Sequence, residues 1–256
     1  MVEHGQEQQP RPPRRRHGLQ APFDKHQVVA LLLFAVFAAV AYAFFFPMMP
    51  DGAGRWALLG VYSALLAAIV GLGVLACAAD PSDAGLHGCG DGEFYCALCD
   101  ASVGESSKHC RACNRCVEGF DHHCKWLNNC IGSRNYLTFF ALLLCANALL
   151  VVQLGWFAYL FARSFYAKAE MQARVVDTYG GSPDGLIGWQ VGTAVAAALL
   201  VGAVFMLGEL LSFHVVLVAR DMTTYDYIMA QRAKDASGKD GQQGQPAGGG
   251  GGGGGG

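Results

Sequence analysis

Charged side chains are scarce in this chain: they make up 15% of its 256 residues, while hydrophobic residues make up 53%. The formal net charge is −2, so the chain lacks the basic excess that is typical of proteins binding nucleic acid. Four long segments contain no charged residue at all: 27–46, 56–79, 136–162 and 186–207. The remaining sequence is too short to form a soluble domain that buries four such segments, which excludes a soluble globular protein.

The four uncharged segments predict an all-α membrane protein with four transmembrane helices. Each is longer than the roughly 18 apolar residues that mark a transmembrane helix, and after the fourth the apolar sequence resumes through Ala219. We do not expect the first segment to be a cleaved signal peptide. Its apolar stretch is too long, and the sequence from Pro47 to Pro50 is a poor cleavage site.

Lysine and arginine residues predict the orientation, because positive charge concentrates on the cytosolic side of a membrane protein. Fourteen of the 18 lie in the head, in the loop between spans two and three, or in the tail: Arg11, Arg14, Arg15, Arg16, Lys25, Lys108, Arg111, Arg115, Lys125, Arg134, Arg220, Arg232, Lys234 and Lys239. The two opposite loops hold only Arg55, Arg163, Lys168 and Arg174. We therefore expect both termini and the middle loop to face the cytosol.

Composition divides the chain into five parts, and no internal repeat is evident. The head is rich in Gln, Pro and Arg, and the tail ends in an unbroken glycine run from Gly248, so we expect disorder in the head and beyond Lys234. The parts are the head, the first helix pair, a cysteine-rich domain between helices two and three, the second helix pair with its lumenal loop, and the tail: 1–26, 27–79, 80–135, 136–219 and 220–256.

The cysteine-rich domain carries seven cysteines and three histidines between Cys96 and Cys130. Several cysteines repeat the two-residue gap that lets two sulfurs of one turn bind one metal ion. Two tetrahedral zinc ions need eight ligands, so one cysteine and one histidine are left over. The adjacent His122 and Cys124 are the candidates, and a thiol beside a free imidazole is a nucleophile with a base.

Two other interpretations of this run remain open at this stage. The cysteines could form a purely structural zinc module, which is the usual role of such clusters. They could also form a disulfide framework, although the expected cytosolic location argues against that because cytosolic thiols stay reduced.

The sequence Asp121-His122-His123-Cys124, within the run from Cys96 to Phe140, resembles the DHHC protein S-acyltransferases, also called palmitoyltransferases. Together with the four spans, the resemblance covers roughly residues 25–230. It implies two structural Zn²⁺ ions with interleaved ligands. One would be bound by Cys96, Cys99, His109 and Cys116, and the other by Cys110, Cys113, His123 and Cys130.

The resemblance also implies a two-step transfer from acyl-CoA, most often palmitoyl-CoA, to protein cysteines through an acyl-enzyme at Cys124. His122 would take the thiol proton and Asp121 would orient the imidazole. The expected partners are acyl-CoA, substrate proteins with membrane-proximal cysteines, and the lipid bilayer, with no nucleic acid. The resemblance further implies an integral protein of an endomembrane, Golgi or ER, or of the plasma membrane.

Two residues are predicted to contact the acyl chain. Trp126, next to the reactive cysteine, would cover its first carbons, as the resemblance implies. A sixteen-carbon chain extends roughly 20 Å, about thirteen helical residues at a rise of 1.5 Å. Counted from Tyr136, where the third span begins, this length reaches Leu149. We expect Leu149, or Val152 and Gln153 one turn further, to lie at the end of the acyl chain.

Some positions depart from the family pattern or allow two interpretations. Lys125 follows the reactive cysteine where the family usually has proline. The segment Thr223–Asp226 resembles a family motif that has glutamate in place of Asp226, and it also fits a helix capping box. Two other functions fit parts of this pattern: an inactive relative that recruits partners, and a RING-like ubiquitin ligase, although a RING usually lacks the surplus thiol.

Overall fold

A computed structural model describes residues 13–89 and 92–243 of the chain. The disorder expected for residues 1–12 and for the glycine run from Gly248 concerns parts of the chain outside these ranges. Four helices are long and apolar enough to cross a membrane: Lys25–Met48, Ala53–Ala78, Tyr136–Tyr166 and Gly185–Ala219. They confirm the four predicted spans.

The first span is not a uniform α-helix. Helix α1 covers Lys25–Val40 and begins at Asp24, whose side chain accepts a hydrogen bond from the His26 N–H. A π-helical turn, Ala41–Phe45, and a 3-10 turn, Phe46–Met48, complete the span before α2, Ala53–Ala78. Pro47 lies in the 3-10 turn, where its missing N–H and fixed φ end the regular helix.

The third span, α3 (Tyr136–Tyr166), lies between α2 and α5 (Gly185–Ala219) and packs against both. A buried amide ties it to the first two helices: Gln153 accepts a hydrogen bond from the Tyr62 hydroxyl at 3.2 Å and donates one to the Phe37 carbonyl at 3.3 Å. Asn147 donates to the Leu207 carbonyl of α5 at 3.3 Å. Polar groups inside a membrane bundle need such partners, because lipid offers none.

The predicted lumenal loop between spans three and four contains an additional helix, α4, Lys168–Tyr179. Met171 and Val175, one turn apart, form its buried face against the bundle. One ion pair joins it to the α1–α2 turn, where Arg174 lies 3.0 Å from Asp51. Two apolar positions one turn apart are too few to predict a helix from the sequence of this loop.

The cysteine-rich domain lies at the other end of the bundle and consists of three antiparallel hairpins. Their strands are β1 Phe94–Cys96, β2 Ala101–Val103, β3 Lys108–Cys110, β4 Arg115–Val117, β5 His122–Cys124 and β6 Asn129–Ile131. Each strand has three residues, which is too short for a periodicity signal in the sequence. The hairpins were therefore not predicted, although the helical class of the chain was.

Two terminal segments are more ordered than the sequence suggested. Residues 13–24 of the expected disordered head lie against the cysteine-rich domain and the end of α2. The Arg15 N–H donates to the Cys113 carbonyl at 3.0 Å, and the Gly18 N–H donates to the Cys77 carbonyl of α2 at 2.7 Å. Beyond Lys234, where disorder was expected, helix α6 continues over Thr224–Gln243. The head is ordered by hydrogen bonds to residues far away in the sequence, and its polar composition gives no indication of such bonds.

Candidate active site and metal centres

The eight expected zinc ligands lie in two groups of four. One group is Cys96, Cys99, His109 and Cys116, and the other is Cys110, Cys113, His123 and Cys130. Within each group the ligand atoms all lie within 4.8 Å of one another. The structure thus brings together the same sets of residues that the family resemblance implied.

The distances within each group fit a tetrahedral zinc ion. With Zn–S near 2.3 Å and Zn–N near 2.0 Å, neighbouring ligand atoms should be about 3.5–3.8 Å apart. His109 Nδ1 lies 3.2 Å from Cys99 Sγ and 3.9 Å from Cys116 Sγ. In the second group, His123 Nδ1 lies 3.6 Å from Cys130 Sγ, and Cys130 Sγ lies 3.4 Å from Cys113 Sγ. Three thiolates and one imidazole form a closed structural site with no open coordination position.

The hairpin registers explain why these residues converge. His109 is paired directly with Cys116, and His123 directly with Cys130, so each hairpin offers one His and one Cys on the same face. The remaining two sulfurs of each site come from the turn of the preceding hairpin. Each ion would therefore join two consecutive hairpins, which accounts for the interleaving of ligands along the chain.

The three hairpins form a repeat of fourteen residues, contrary to the expectation of no internal repeat. Cys96, Cys110 and Cys124 each end the first strand of a hairpin. Four residues later, Asp100, Asn114 and Asn128 have positive φ angles of 54°, 51° and 53°. Asn and Asp tolerate this left-handed conformation better than other residues with a side chain, so the same turn recurs three times.

This repeat explains why Cys124 is left over. In the first two hairpins the turn supplies a second cysteine three residues later, Cys99 and Cys113, and the pair binds a metal. In the third hairpin that position is Leu127. Cys124 therefore occupies a ligand position of the repeat but has lost the partner sulfur that would complete a metal-binding turn.

Strand β5 separates the two adjacent histidines. Successive side chains of a strand point to opposite faces, so His123 faces the second metal group while His122 and Cys124 share the other face. The structure thereby places the imidazole and the thiol together, as the ligand surplus had suggested. The His122 ring is hydrogen-bonded to Cys124 as well as to Asp121.

Asp121 fixes the orientation of the His122 ring. His122 Nδ1 lies 2.6 Å from Asp121 Oδ2, and because an ionised carboxylate only accepts hydrogen bonds, Nδ1 carries the proton. Burial disfavours the charged imidazole, but the hydrogen bonds to Asp121 and Cys124 outweigh it and raise the pKa of His122 to about 9. With Nδ1 bound to Asp121, the opposite ring nitrogen is the one available to Cys124.

Thr224, the first residue of α6, holds Asp121 in place. Its backbone N–H and its hydroxyl each donate to the Asp121 carboxylate at 2.8 Å. Burial alone would raise the pKa of Asp121, but the bonds from His122 and Thr224 outweigh it and lower that pKa below its usual value. The predicted capping box is also present, since the Asp226 N–H donates to Thr223 Oγ1 at 3.1 Å.

His214 of α5 is a further group beside this site. It is buried, its Nδ1 lies 3.1 Å from the Tyr136 hydroxyl, and a ring nitrogen lies within 4.8 Å of ligand atoms of Asp121 and His122. Such a trio could hold a cation, but both carboxylate oxygens of Asp121 are already engaged by Thr224 and His122. We therefore assign the trio to orienting the imidazole rather than to metal binding.

The Cys124 side chain faces an apolar cluster at the ends of the spans. The buried members of this cluster are Ala76, Cys77, Cys124, Leu127, Ile131, Phe139 and Leu143. Cys124 itself is 7% exposed. The thiol thus has polar groups of the cysteine-rich domain on one side and the apolar interior of α2 and α3 on the other.

Sequence reasoning missed Asn129, which lies opposite Cys124 in the hairpin. Its amide donates to three carbonyls at the end of α2, those of Ala76, Cys77 and Ala79, at 2.9, 3.2 and 2.9 Å. Its oxygen accepts from the buried Arg115 guanidinium at 2.7 Å. Asn129 thus caps the end of α2. In the sequence it is only one of two adjacent asparagines within a run of metal ligands, and this pattern does not indicate a helix cap.

The two expected acyl-chain residues lie at different depths. Trp126 is in the β5–β6 turn, 47% exposed, with its ring edge-on to His26 at 5.4 Å between centroids. Leu149 is buried in the core cluster of the bundle, separate from the cluster that contains Cys124. The partly buried Leu142 packs against both clusters and so connects them along α3.

Comparison with known families agrees with this geometry. A sequence model of the DHHC palmitoyltransferase family matches residues 90–231, which is more than half of the chain. The chain belongs to the DHHC palmitoyltransferase family. The matched range includes both groups of zinc ligands, the Asp121–Cys124 segment and the start of α6.

Several curated DHHC relatives align with most of the chain. Probable protein S-acyltransferase 22 of Arabidopsis thaliana is 30% identical over 86% of this chain and 51% of that protein. Palmitoyltransferase ZDHHC11 of Danio rerio is 32% identical over 91% of this chain and 61% of that protein. Protein S-acyltransferase 18 of Arabidopsis thaliana is 44% identical over 55% of this chain. The chain thus spans about half to three fifths of the length of the first two relatives.

Proposed function

We propose that this DHHC-family protein is a protein S-acyltransferase that transfers a fatty acyl group, palmitoyl above all, from acyl-CoA to cysteine residues of other proteins. One observation carries the proposal: His122, oriented by Asp121, shares a face of β5 with Cys124, a thiol that neither metal group uses. A purely structural zinc module has no need for an oriented base beside a free thiol.

In the first step, His122 Nε2 accepts the proton of the Cys124 thiol while Asp121 holds the opposite ring nitrogen. The thiolate attacks the thioester carbonyl of acyl-CoA, a bond forms between Cys124 Sγ and the acyl carbon, and the bond to the CoA sulfur breaks. His122 returns the proton to the departing CoA thiolate. The product is an acyl-enzyme and free CoA.

In the second step, a cysteine thiol of the substrate protein takes the place of CoA. His122 accepts its proton, the new thiolate attacks the acyl-enzyme carbonyl, and Cys124 leaves as a thiolate that is reprotonated by His122. The same residues thus serve both steps, with acyl-CoA and the acceptor thiol as co-substrates. No net oxidation or reduction occurs.

The two zinc ions have a structural role in this proposal. Cys96, Cys99, His109 and Cys116 bind one ion, and Cys110, Cys113, His123 and Cys130 bind the other. Strands of three residues with few apolar side chains cannot form a hydrophobic core, so metal binding supplies the folding energy of this domain. The ions hold β5, and with it the thiol and the base, at the end of α2 and α3.

The acyl chain would extend from Cys124 into the apolar interior of the bundle. The thiol borders a cluster that includes Phe139 and Leu143 of α3, and the next buried cluster along α3 includes Leu149. We propose that Trp126 lies over the first carbons and that Leu149 lies at the end of a sixteen-carbon chain. The polar CoA moiety would stay in water beside the cysteine-rich domain.

The distribution of lysine and arginine supports a topology with both termini and the zinc domain in the cytosol. This side offers acyl-CoA and reduced protein thiols. We propose an integral protein of an endomembrane, Golgi or ER, or of the plasma membrane, whose substrates carry cysteines close to the bilayer.

Incubation of the purified protein with palmitoyl-CoA tests the function. Wild type should acquire one acyl group that neutral hydroxylamine removes, because hydroxylamine cleaves thioesters. Cys124→Ser should acquire none while it retains two zinc ions per chain, since Cys124 belongs to neither metal group.

If wild type binds two zinc ions but forms no hydroxylamine-sensitive adduct, the protein is an inactive relative that recruits partners. A zinc deficit in Cys124→Ser would show instead that this sulfur is a ligand. The two results are independent, so one cannot be mistaken for the other.

A further inference from the structure

A cavity of about 200 Å³ lies between the docked head and the cysteine-rich domain, apart from the Cys124 site. Its volume is several times the roughly 30 Å³ that one water molecule occupies in the liquid. Four arginines line it, Arg14, Arg15, Arg16 and Arg115, together with His87 and Ser82. The acyl-transfer mechanism uses none of these side chains.

Two of the arginines that line the cavity, Arg115 and Arg15, each have a buried Nε donor without a partner in the described chain. Arg115 is 1% exposed, and its Nε atom is buried with no hydrogen-bond partner in the described chain. The Nε atom of Arg15 is in the same situation. Buried N–H donors without partners are rare in folded proteins, and a ligand that supplies acceptor oxygens would satisfy them.

The mouth of the cavity is exposed and basic. Arg14, Arg16 and His87 are exposed, and the Arg16 guanidinium forms no ion pair with any residue that the structure describes. Asp80 is the nearby carboxylate, and it pairs with Arg115 at 2.8 Å and approaches His87 at 3.9 Å. Asp80 offsets Arg115, and Arg15 donates to the Cys113 sulfur at 3.5 Å. Arg14 and Arg16 therefore leave two positive charges without a carboxylate, more than a singly charged anion would balance.

The backbone holds these arginines in position before any ligand binds. The Arg15 N–H donates to the Cys113 carbonyl at 3.0 Å, and Arg115 donates to the Arg16 carbonyl. The head is therefore fixed between the end of α2 and the second zinc-binding turn. Guanidinium groups held in place lose little conformational freedom on binding, which favours recognition of phosphate.

The cavity also lies at the surface of the membrane. Arg16 precedes the start of α1 at Lys25, and Ser82 follows the end of α2 at Ala78, so Ser82 is at most about 14 Å from the apolar span. The headgroup layer adds roughly 5–8 Å on each side of the hydrocarbon core. A lipid phosphate can therefore reach the exposed mouth.

We propose that this cavity is a binding site for a phosphomonoester anion, whose charge of nearly −2 matches the surplus of arginine. The source that its location favours is a phosphoinositide headgroup of the adjoining leaflet, and the same chemistry would accept a soluble phosphate compound. Bound phosphate would join the head to Arg115, and Arg115 is hydrogen-bonded to Asn129, which is opposite Cys124.

Binding can be measured on the purified full chain, independently of acyl transfer. The probes are short-chain phosphatidylinositol 4-phosphate, inorganic phosphate and CoA, with short-chain phosphatidylserine as a singly charged comparison. Arg16→Glu reverses an exposed charge at the mouth, and Arg16→Gln is the milder variant. Arg232→Glu on the exposed surface of α6 makes the same change of net charge away from the cavity and is the matched control.

Wild type should bind at least one phosphomonoester probe more tightly than phosphatidylserine, and Arg16→Glu should weaken that binding about tenfold or more. Arg232→Glu should change it less than about twofold. Dependence on Arg16 for the phosphoinositide identifies a lipid site, and the same dependence for phosphate or CoA alone identifies a soluble ligand. Equal losses in the two charge-reversed variants, or no binding of any phosphomonoester, would overturn the proposal.

Discussion

Thr224 binds both oxygens of Asp121, one through its backbone N–H and one through its hydroxyl, each at 2.8 Å. Asp121 in turn orients His122, which is hydrogen-bonded to Cys124. The first residue of the α6 helix therefore fixes the geometry of a site that lies 103 residues earlier in the chain. The proposed catalytic base depends on a segment that touches neither the thiol nor the metals.

Removal of the Thr224 hydroxyl should slow formation of the acyl-enzyme. Thr224→Val keeps the shape and the backbone donor but loses one hydrogen bond to a carboxylate, which is worth about 1.5–3 kcal/mol. We expect the rate of autoacylation from palmitoyl-CoA to fall about tenfold, with zinc content unchanged. Thr224→Ser, which keeps the hydroxyl, is the control and should stay within about threefold of wild type. Equal rates for the Val variant and wild type would show that Asp121 needs no hydroxyl partner.

The adjacent histidines should separate cleanly in their effects. His122→Ala removes the base from the Cys124 face of β5, so autoacylation should slow roughly a hundredfold or more while both zinc ions remain. His123→Ala removes a ligand from the opposite face, so about one zinc equivalent should be lost and the domain should unfold at lower temperature. Zinc release on denaturation and rapid-quench acylation measure the two effects. Identical zinc loss in both variants would contradict the alternation along β5.

Leu149 should set the length of the acyl chain. Leu149→Trp should shift autoacylation toward shorter acyl-CoAs and Leu149→Ala toward longer ones, as judged by competition between acyl-CoAs and mass spectrometry of the products. Leu137→Trp is a matched control, since Leu137 lies on the same helix but is 79% exposed on its outer face. If the preference for acyl-CoA length is unchanged in both Leu149 variants, Leu149 does not limit the length of the acyl chain.

Asn129 should be needed to dock the reactive hairpin on α2. Asn129→Asp keeps the size and the acceptor for Arg115 but replaces the donor that three carbonyls share. Leaving such buried acceptors without a donor costs about 1–3 kcal/mol. We expect a lower unfolding temperature in detergent and slower autoacylation, because Cys124 is the direct partner of Asn129 in the hairpin. Unchanged thermal unfolding would mean that water or the nearby backbone replaces the amide.

The helical framework could be predicted from sequence because hydropathy is a local property. Four uncharged runs longer than the thickness of a membrane leave no soluble alternative, and the observed spans agree with them. The inventory of ligands was also local, since ten cysteines and histidines in one short run exceed the eight that two zinc ions need. The assignment of those ligands to two sites came from resemblance to a family and not from spacing.

Segments whose structure depends on distant partners were predicted poorly. The head looked disordered because it is polar and rich in proline, yet Gly18 and Arg15 bond to residues 59 and 98 positions away. Similarly, the motif at Thr223 was recognised as a cap for α6, but its bond to Asp121 could not be inferred. Hydrogen bonds between segments that meet only in the folded protein leave no pattern in the local sequence.

The sequence by itself determined four segments apolar and long enough to cross a membrane, and a cysteine–histidine run with ligands for two zinc ions and one thiol and one imidazole more. Only the tertiary structure decided which groups act together. The pairing of three-residue strands places His123 toward a metal and His122 toward Cys124, and the fold of the chain brings Thr224 to Asp121. Spacing along the chain limits which ligands can share an ion, but the face of a strand and the contact of distant segments are fixed by packing.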